Sequence, residues 1–153
     1  MIIGRHIVKK ISNMGRKKIF ITRRIPDAGV NKLREVFDIE ISPLDRDLTK
    51  DEMISMAAGA QGMISVLGNT IDRGLIDRLT DIRIIANYAV GFNNIDIEYA
   101  AEKGITVTNT PGVLTEATAD IAVALILCLA RRIVEGDRLV RRGGFKGFSP
   151  TFF

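Results

Sequence analysis

Few side chains in this sequence are suited to catalysis by themselves. The only histidine, His6, precedes the first predicted strand. The only cysteine, Cys128, lies inside the apolar run 121–130, where we expect a small core residue rather than a nucleophile. Gly91 is a different kind of candidate, because a glycine after a strand lets the backbone approach a ligand closely, and exposed N–H groups there suit an anion. A simple tight turn is the alternative interpretation of Gly91.

Alternating short strands and helical segments must position these groups. Helical spacing after Pro26, a capping box at Thr49 to Glu52 and a glycine C-cap at Gly104 predict helices between five short β-rich runs. The predicted strands cover residues 18–22, 38–42, 62–67, 83–87 and 105–108, and the predicted helices start at Pro26, Thr49, Asp72 and Asn94. This order predicts an α/β fold with a doubly wound, five-stranded parallel sheet.

Ligands of such sheets bind at the carboxyl ends of the strands. The segments after strands three, four and five, residues 67–70, 88–94 and 109–118, are therefore the candidate ligand-binding loops. A long helix is predicted next, from Thr115 to about Val140. Its first half is apolar nearly all round, so we expect burial on several sides, by the same domain or, better, by a second domain or a partner subunit. The phenylalanine- and glycine-rich end of the sequence predicts an irregular arm.

Two separated segments, 89–96 (AVGFNNID) and 109–120 (NTPGVLTEATAD), are similar to the D-isomer-specific 2-hydroxyacid dehydrogenases, closest to their glyoxylate/hydroxypyruvate reductase branch. The resemblance extends from about Lys17 to Pro150. It implies a basic N-terminal extension at 1–16, a flavodoxin-like substrate-binding (catalytic) domain at 17–112, an interdomain and dimerisation helix at 113–142 and a truncated arm at 143–153.

The resemblance also implies site residues and ligands. Leu67, Gly68, Val90 and Gly91 would bind a small 2-keto or 2-hydroxy acid, with the Val90 and Gly91 amides at its carboxylate. Val90, Leu114 and Thr118 would line the nicotinamide end of NAD or NADP. On spacing alone, an ordinary first-turn helix residue is the favoured interpretation of Thr118. The long helix would form a homodimer.

The cofactor fingerprint of this family is G-x-G-x-x-G after a strand. No two glycines of this sequence are two positions apart, so the motif is absent, and we expect the nucleotide-binding domain that carries it to be missing from this sequence. The family's catalytic Arg, Glu and His cannot be mapped, and His6 does not match that His. We therefore assign no catalytic residue and no metal ligand, and we expect a fragment of a dehydrogenase that is inactive alone.

Charge is distributed unevenly along the chain. Residues 25–130 carry a net charge of −8 and the two ends carry +12, which gives the overall +4. An acidic centre without a basic-aromatic pattern argues against a nucleic-acid partner, and the apolar run is about half as long as a membrane span. The lone cysteine fits a reducing, cytoplasmic location. Met14 is the expected natural start, with residues 1–13 as an upstream extension.

The sequence leaves two alternatives to the dehydrogenase fragment. A non-catalytic module could keep the substrate-domain fold and use the long helix and arm for oligomerisation or binding. A phosphoacceptor receiver domain is also five-stranded and doubly wound, but it needs acidic residues at the end of strand one. That strand ends in Ile21-Thr-Arg-Arg24 without an acid, so we set the receiver domain aside.

Overall fold

The computed structural model describes residues 15–150. They divide into two compact units, one that ends at Pro111 and one that begins at Gly112. His6 and the predicted extension 1–13 lie outside the described residues.

The first unit contains a five-stranded, fully parallel sheet in the order β2-β1-β3-β4-β5. This confirms the predicted fold class. The strands are β1 (Lys18–Ile21), β2 (Asp38–Ile41), β3 (Gly62–Val66), β4 (Ile84–Tyr88) and β5 (Thr106–Thr108). The strand order reverses direction after β2, so the topological switch point lies between β1 and β3, and the loops after β3 and β4 leave the same edge of the sheet.

Four helices connect these strands: α1 (Asp27–Arg34), α2 (Lys50–Met56), α3 (Arg73–Ile76) and α4 (Ile97–Glu102). The predicted capping box is confirmed, since the Thr49 side chain accepts from the Glu52 N–H and the Glu52 carboxylate accepts from the Thr49 N–H. Asp72 and Asp96 cap α3 and α4 in the same way, through the N–H groups of Leu75 and Tyr99.

The core lies on both faces of the sheet because neighbouring strand residues point to opposite sides. Phe20, Met63 and Ile85 contribute to the larger buried cluster, which also includes residues of α2, α3 and α4. Ile21 joins the smaller cluster with Val30 of α1, and Ile64 packs against it. The helical spacing that starts at Pro26 therefore places Val30 in the core, as an amphipathic pattern requires.

The fourth helix begins later than the sequence predicts. The predicted start is Asn94, but α4 starts at Ile97 with Asp96 as its cap. Asn94 instead remains in the preceding loop, where its side chain donates to the backbone carbonyls of Val66 and Asn69. The competition of an asparagine amide for nearby carbonyls explains the difference.

The second unit contains two helices, α5 (Thr115–Ala130) and α6 (Ile133–Arg141). The single helix predicted from Thr115 to about Val140 is therefore wrong. Arg132 adopts a left-handed conformation with φ of 51°, which interrupts the helical hydrogen-bond ladder. Its guanidinium binds the Glu135 carboxylate in the first turn of α6 and so stabilises the break.

The described residues of this chain do not bury the apolar run, so its burial by a second domain or a partner subunit stays a prediction. No residue of α5 is buried, and Cys128 is only half-buried rather than a core residue. Several large apolar side chains of α5 are more than half exposed: Ile121, Val123, Leu125, Ile126, Leu127 and Leu129. A pattern that is apolar all round needs other surfaces to cover it, and the described part of the second unit does not supply them. Among residues 15–150, no helix is long and apolar enough to cross a bilayer.

Candidate functional site

The two loops that the sequence analysis selected meet at one edge of the sheet. Leu67 and Gly68 follow β3, and Val90 and Gly91 lie two and three residues beyond the end of β4, its parallel neighbour. A Cβ atom placed on Gly91 would lie 3.9 Å from Leu67 Cδ1, so the two loops are in contact range. All four residues are exposed. The structure thus brings the four proposed substrate residues together on an accessible surface.

Backbone N–H groups provide the polar donors of this surface. Among the described residues, the N–H groups of Gly68, Val90 and Gly91 donate to no protein acceptor. Exposed, unpaired N–H groups at the end of a strand can bind an anion such as a carboxylate. The loops therefore have the chemistry of an anion site without requiring a charged side chain.

Buried side-chain amides hold the loop after β4 in place. Asn87 is 2% exposed, and its Nδ2 donates to the Gly91 carbonyl at 2.9 Å and to Asn94 Oδ1 at 3.1 Å. Its Oδ1 accepts from Ser65 Oγ at 3.0 Å. Asn94 Nδ2 in turn donates to the Asn69 carbonyl at 2.9 Å, which ties the two loops to each other.

A second polar group fixes the loop after β3. Asn69 is 1% exposed, and its Oδ1 accepts from Thr22 Oγ1 at 2.6 Å and from the Val66 N–H at 3.3 Å. Its Nδ2 is buried and has no hydrogen-bond partner within the described part of the chain. Sequence reasoning missed these asparagines as functional residues, although a polar residue such as Asn87 at the end of an apolar strand is a usable signal for a buried network.

The backbone of Gly68 lies close to an acidic side chain. A Cβ atom on Gly68 would come within 2.2 Å of Asp47 Oδ2, so the absence of a side chain lets Asp47 approach the loop backbone. Arg23, two residues after β1, pairs with Asp45 at 3.0 Å and with Asp47 at 3.7 Å. This ion-pair group places a cation and two carboxylates next to the loop.

The far end of the loop after β4 is anchored by Asp96. Its carboxylate accepts from the Tyr99 N–H at 3.0 Å and from Arg73 Nε at 3.0 Å. These two bonds, the backbone one first, lower the pKa of Asp96 below its ordinary value, so it stays ionised at neutral pH. Asp96 therefore acts as a helix cap and an ion-pair partner, roles that keep its charge engaged within the fold.

A separate cavity of about 550 Å³ opens beside β5 and α4. Phe92, Ile97, Ala101 and Asn109 are among its lining residues, none of which is charged. The cavity is therefore suited to apolar groups rather than to an anion. Within residues 15–150, no cluster of three or more His, Cys, Asp or Glu side chains could hold a metal ion.

Leu114 and Thr118 belong to the second unit. Leu114 is the residue before α5 and is 53% exposed, and its carbonyl accepts from the Thr118 N–H at 2.9 Å. This is the ordinary first hydrogen bond of a helix. The side chain of Thr118 is exposed in the first turn.

The family model and the relatives that this chain matches point to the same protein family. Residues 19–149 match the model for the D-isomer specific 2-hydroxyacid dehydrogenase, catalytic domain. A Staphylococcus aureus protein that carries the name of a 2-hydroxyacid dehydrogenase is 47% identical over 137 residues, which are 90% of this chain and 43% of that protein. The chain thus spans less than half the length of the relatives it matches.

Solved structures agree with the sequence comparison. A Polaromonas protein described as a D-isomer specific 2-hydroxyacid dehydrogenase is 37% identical with a TM-score of 0.83, over 90% of this chain and 43% of that one. The NADPH-dependent glyoxylate/hydroxypyruvate reductase of Sinorhizobium meliloti, solved with NADP and malonate, is 28% identical with a TM-score of 0.70. That match covers 89% of this chain and 42% of the reductase.

Proposed function

This chain belongs to the D-isomer specific 2-hydroxyacid dehydrogenases, and from that membership we propose that it supplies the substrate-binding part of an NAD(P)-dependent oxidoreductase acting on small 2-hydroxy acids. The observation that carries the proposal is the pair of unpaired N–H groups at Val90 and Gly91 beside Leu67. They match the need of a small carboxylate for backbone donors at a strand end. A glyoxylate/hydroxypyruvate reductase type is favoured by the similarity to the Sinorhizobium enzyme.

The proposed substrate is a small 2-keto acid whose carboxylate binds the Val90 and Gly91 amides, with Leu67 and Gly68 forming the facing wall. Leu67 is 57% exposed and presents an apolar surface, while Gly68, whose missing side chain makes room for the Asp47 carboxylate, contributes its backbone N–H. Charge-assisted hydrogen bonds from backbone N–H groups to a carboxylate are among the stronger polar contacts.

The cofactor implied by the family is NAD or NADP, and the residues of this chain do not form its site by themselves. A pyrophosphate needs a glycine-rich turn at a helix N-terminus, and this sequence has no G-x-G-x-x-G. Val90, Leu114 and Thr118 remain our proposal for the nicotinamide end. We place the protein in the cytoplasm on its single cysteine, as a reducing compartment is the usual one for such a composition.

Binding and turnover test this proposal separately. In a titration with oxamate, a stable analogue of 2-keto acids, we expect saturable shifts of the amide signals of Gly68, Val90 and Gly91. Gly59 and Gly104, which precede β3 and β5 at the opposite edge of the sheet, are internal controls and should not shift. With glyoxylate and NADH or NADPH, we expect no turnover by this chain alone. Absence of saturable shifts would contradict the substrate site, and measurable turnover would contradict the proposed inactivity.

A non-catalytic oligomerisation module is the second candidate, and the exposed apolar surface of α5 favours it. Exposed apolar patches of this kind mark interaction surfaces. We propose a homodimer through α5, to be measured by sedimentation equilibrium. Replacing Leu125 and Leu129 together by Glu should give monomers, whereas Val36→Glu, at an exposed apolar position of the first unit, should not. A wild-type chain that remains monomeric would contradict the dimer.

A further inference from the structure

We propose that Asn109 is a positioning residue for the anion site, a role that rests on the proposed function. Asn109 follows β5 and does not belong to the loops that contain Val90 and Gly91 on one side and Leu67 and Gly68 on the other. Its Nδ2 donates to the Val90 carbonyl at 2.8 Å, across 19 residues of sequence. The role we assign to Asn109 is to fix which way the neighbouring peptide N–H points.

The geometry of the trans peptide unit carries this inference. In a planar trans unit, the carbonyl of one residue and the N–H of the next point in opposite directions. The bond from Asn109 holds the Val90 carbonyl, so the Gly91 N–H must point away from Asn109. The Thr110 N–H donates to the Ala89 carbonyl at 2.9 Å, so the Val90 N–H likewise points away from Thr110.

Two consecutive residues after β5 therefore donate hydrogen bonds to the carbonyl oxygens of two consecutive peptide units after β4. The result is two N–H groups on the same side, directed away from the β5 loop. Asn87 holds the third unit through the Gly91 carbonyl at 2.9 Å. Two successive N–H groups that share a direction form the kind of backbone concavity that binds anions.

Asn109 also acts on the strength of the donor. A hydrogen bond to the Val90 carbonyl polarises the peptide unit, so the Gly91 N–H on its other side becomes a better donor. Asn109 is half-buried, whereas Asn87 is fully buried in the core-side network. Asn109 can therefore be replaced with less risk to folding, which makes it the residue to test.

The test measures oxamate affinity of the full chain by amide chemical-shift titration at constant ionic strength. Asn109→Ala removes the donor, and we expect binding roughly three- to tenfold weaker, together with a shifted Gly91 amide signal in the free protein. Asn109→Asp keeps the size but sets a carboxylate oxygen against the Val90 carbonyl, so we expect the loss to exceed about tenfold. Asn109→Gln can restore a donor and should recover part of the affinity.

The control is Asn93→Ala, because the Asn93 side chain is exposed and makes no hydrogen bond among the described residues. It should bind oxamate as the wild type does. Urea unfolding of each variant separates positioning from stability, since a merely structural role would lower the midpoint without moving the Gly91 signal. If Asn109→Ala fails to fold, the Asp and Gln variants decide.

The outcomes distinguish two kinds of failure. Saturable wild-type binding with unchanged affinity in Asn109→Ala and Asn109→Asp would overturn the role of Asn109 and leave the substrate site intact. A wild-type chain that shows no saturable shift would overturn the proposed substrate site, and the positioning role would fall with it.

Discussion

The two units of this chain differ in how far their apolar side chains are buried. In the first unit, buried residues from strands and helices form clusters on both faces of the sheet. In the second unit, α5 is at least as apolar in sequence, yet none of its residues is buried. Apolar composition therefore predicts a need for burial, and a complementary surface decides whether the need is met.

The two units also differ in whether side chains cap the starts of their helices. The helices α2, α3 and α4 of the first unit each begin with a side chain that accepts a backbone N–H, from Thr49, Asp72 and Asp96. The helices α5 and α6 of the second unit have no side-chain cap. The helix α1 of the first unit also lacks a side-chain cap. Capping side chains therefore define three of the four helices of the first unit and neither helix of the second unit, which depends more on packing.

A matched pair of leucines gives the largest expected contrast. Leu75 in α3 is 0% exposed and Leu125 in α5 is 58% exposed. Leu75→Ala should lower the free energy of unfolding by about 2–5 kcal/mol, because it leaves a cavity in a packed core. At protein concentrations low enough to keep the chain monomeric, Leu125→Ala should change it by less than about 0.5 kcal/mol, as expected for an exposed position. Urea denaturation of both variants measures the difference.

An equal effect of the two substitutions would contradict this contrast between the units. It would mean that Leu125 is buried in solution, as it would be in the homodimer proposed above. Repeating the measurement at several protein concentrations then identifies the cause, because a dimer interface makes stability depend on concentration.

The sequence predicts the features that local patterns encode. Five strands, their parallel arrangement and the capping box at Thr49 follow from periodicity and from residues at fixed short spacing. The break at Arg132 does not, because a left-handed residue is normally signalled by glycine, and none stands there. The burial expected for α5 stays a prediction, because no local pattern states which surface covers it.

The candidate site is predictable in part for the same reason. The carboxyl ends of parallel strands are adjacent by topology, so the amino-acid sequence groups the segments 67–70 and 88–94, and the family resemblance selects Leu67, Gly68, Val90 and Gly91 within them. Their supporting bonds cannot, since Ser65 reaches Asn87 across 22 residues and Asn109 reaches Val90 across 19. Which distant group each of these asparagines binds depends on strand register, which the sequence does not state locally.

The helix cap of α2 provides a contrast of intermediate size. Thr49→Ala removes the acceptor for the Glu52 N–H and should lower the free energy of unfolding by about 1 kcal/mol. Thr115→Ala, at the first residue of the uncapped helix α5, should change it by less than about 0.5 kcal/mol. Thermal or urea unfolding checks both. A similar loss in both variants would show that the second unit also relies on a capped helix start.

The smallest expected contrast concerns two glutamates, each paired with an arginine. Bonds from Arg46 first, then from the Thr49 N–H, lower the pKa of Glu52 to about 2 from its ordinary 4.5. Arg132 lowers the pKa of Glu135 in the second unit. A carboxylate whose pKa is depressed by folding stabilises the fold above its ordinary value, and this contribution is lost as the pH falls towards the folded value. For Glu52, this contribution to stability is therefore lost as the pH falls from about 4.5 to about 2.

Variants of the two arginines test this dependence of stability on pH. Arg46→Gln should raise the pKa of Glu52, measured by carboxyl chemical shifts, and flatten the loss of stability between those pH values. Arg132→Gln should raise the pKa of Glu135 but leave the unfolding of the first unit unchanged, because the pair bridges the break between α5 and α6. Both pairs are solvent-exposed, so the stability changes should be small and should weaken with added salt. If Arg132→Gln shifted the acid unfolding of the first unit as much as Arg46→Gln does, the two units would unfold together and the contrast between them would not extend to stability.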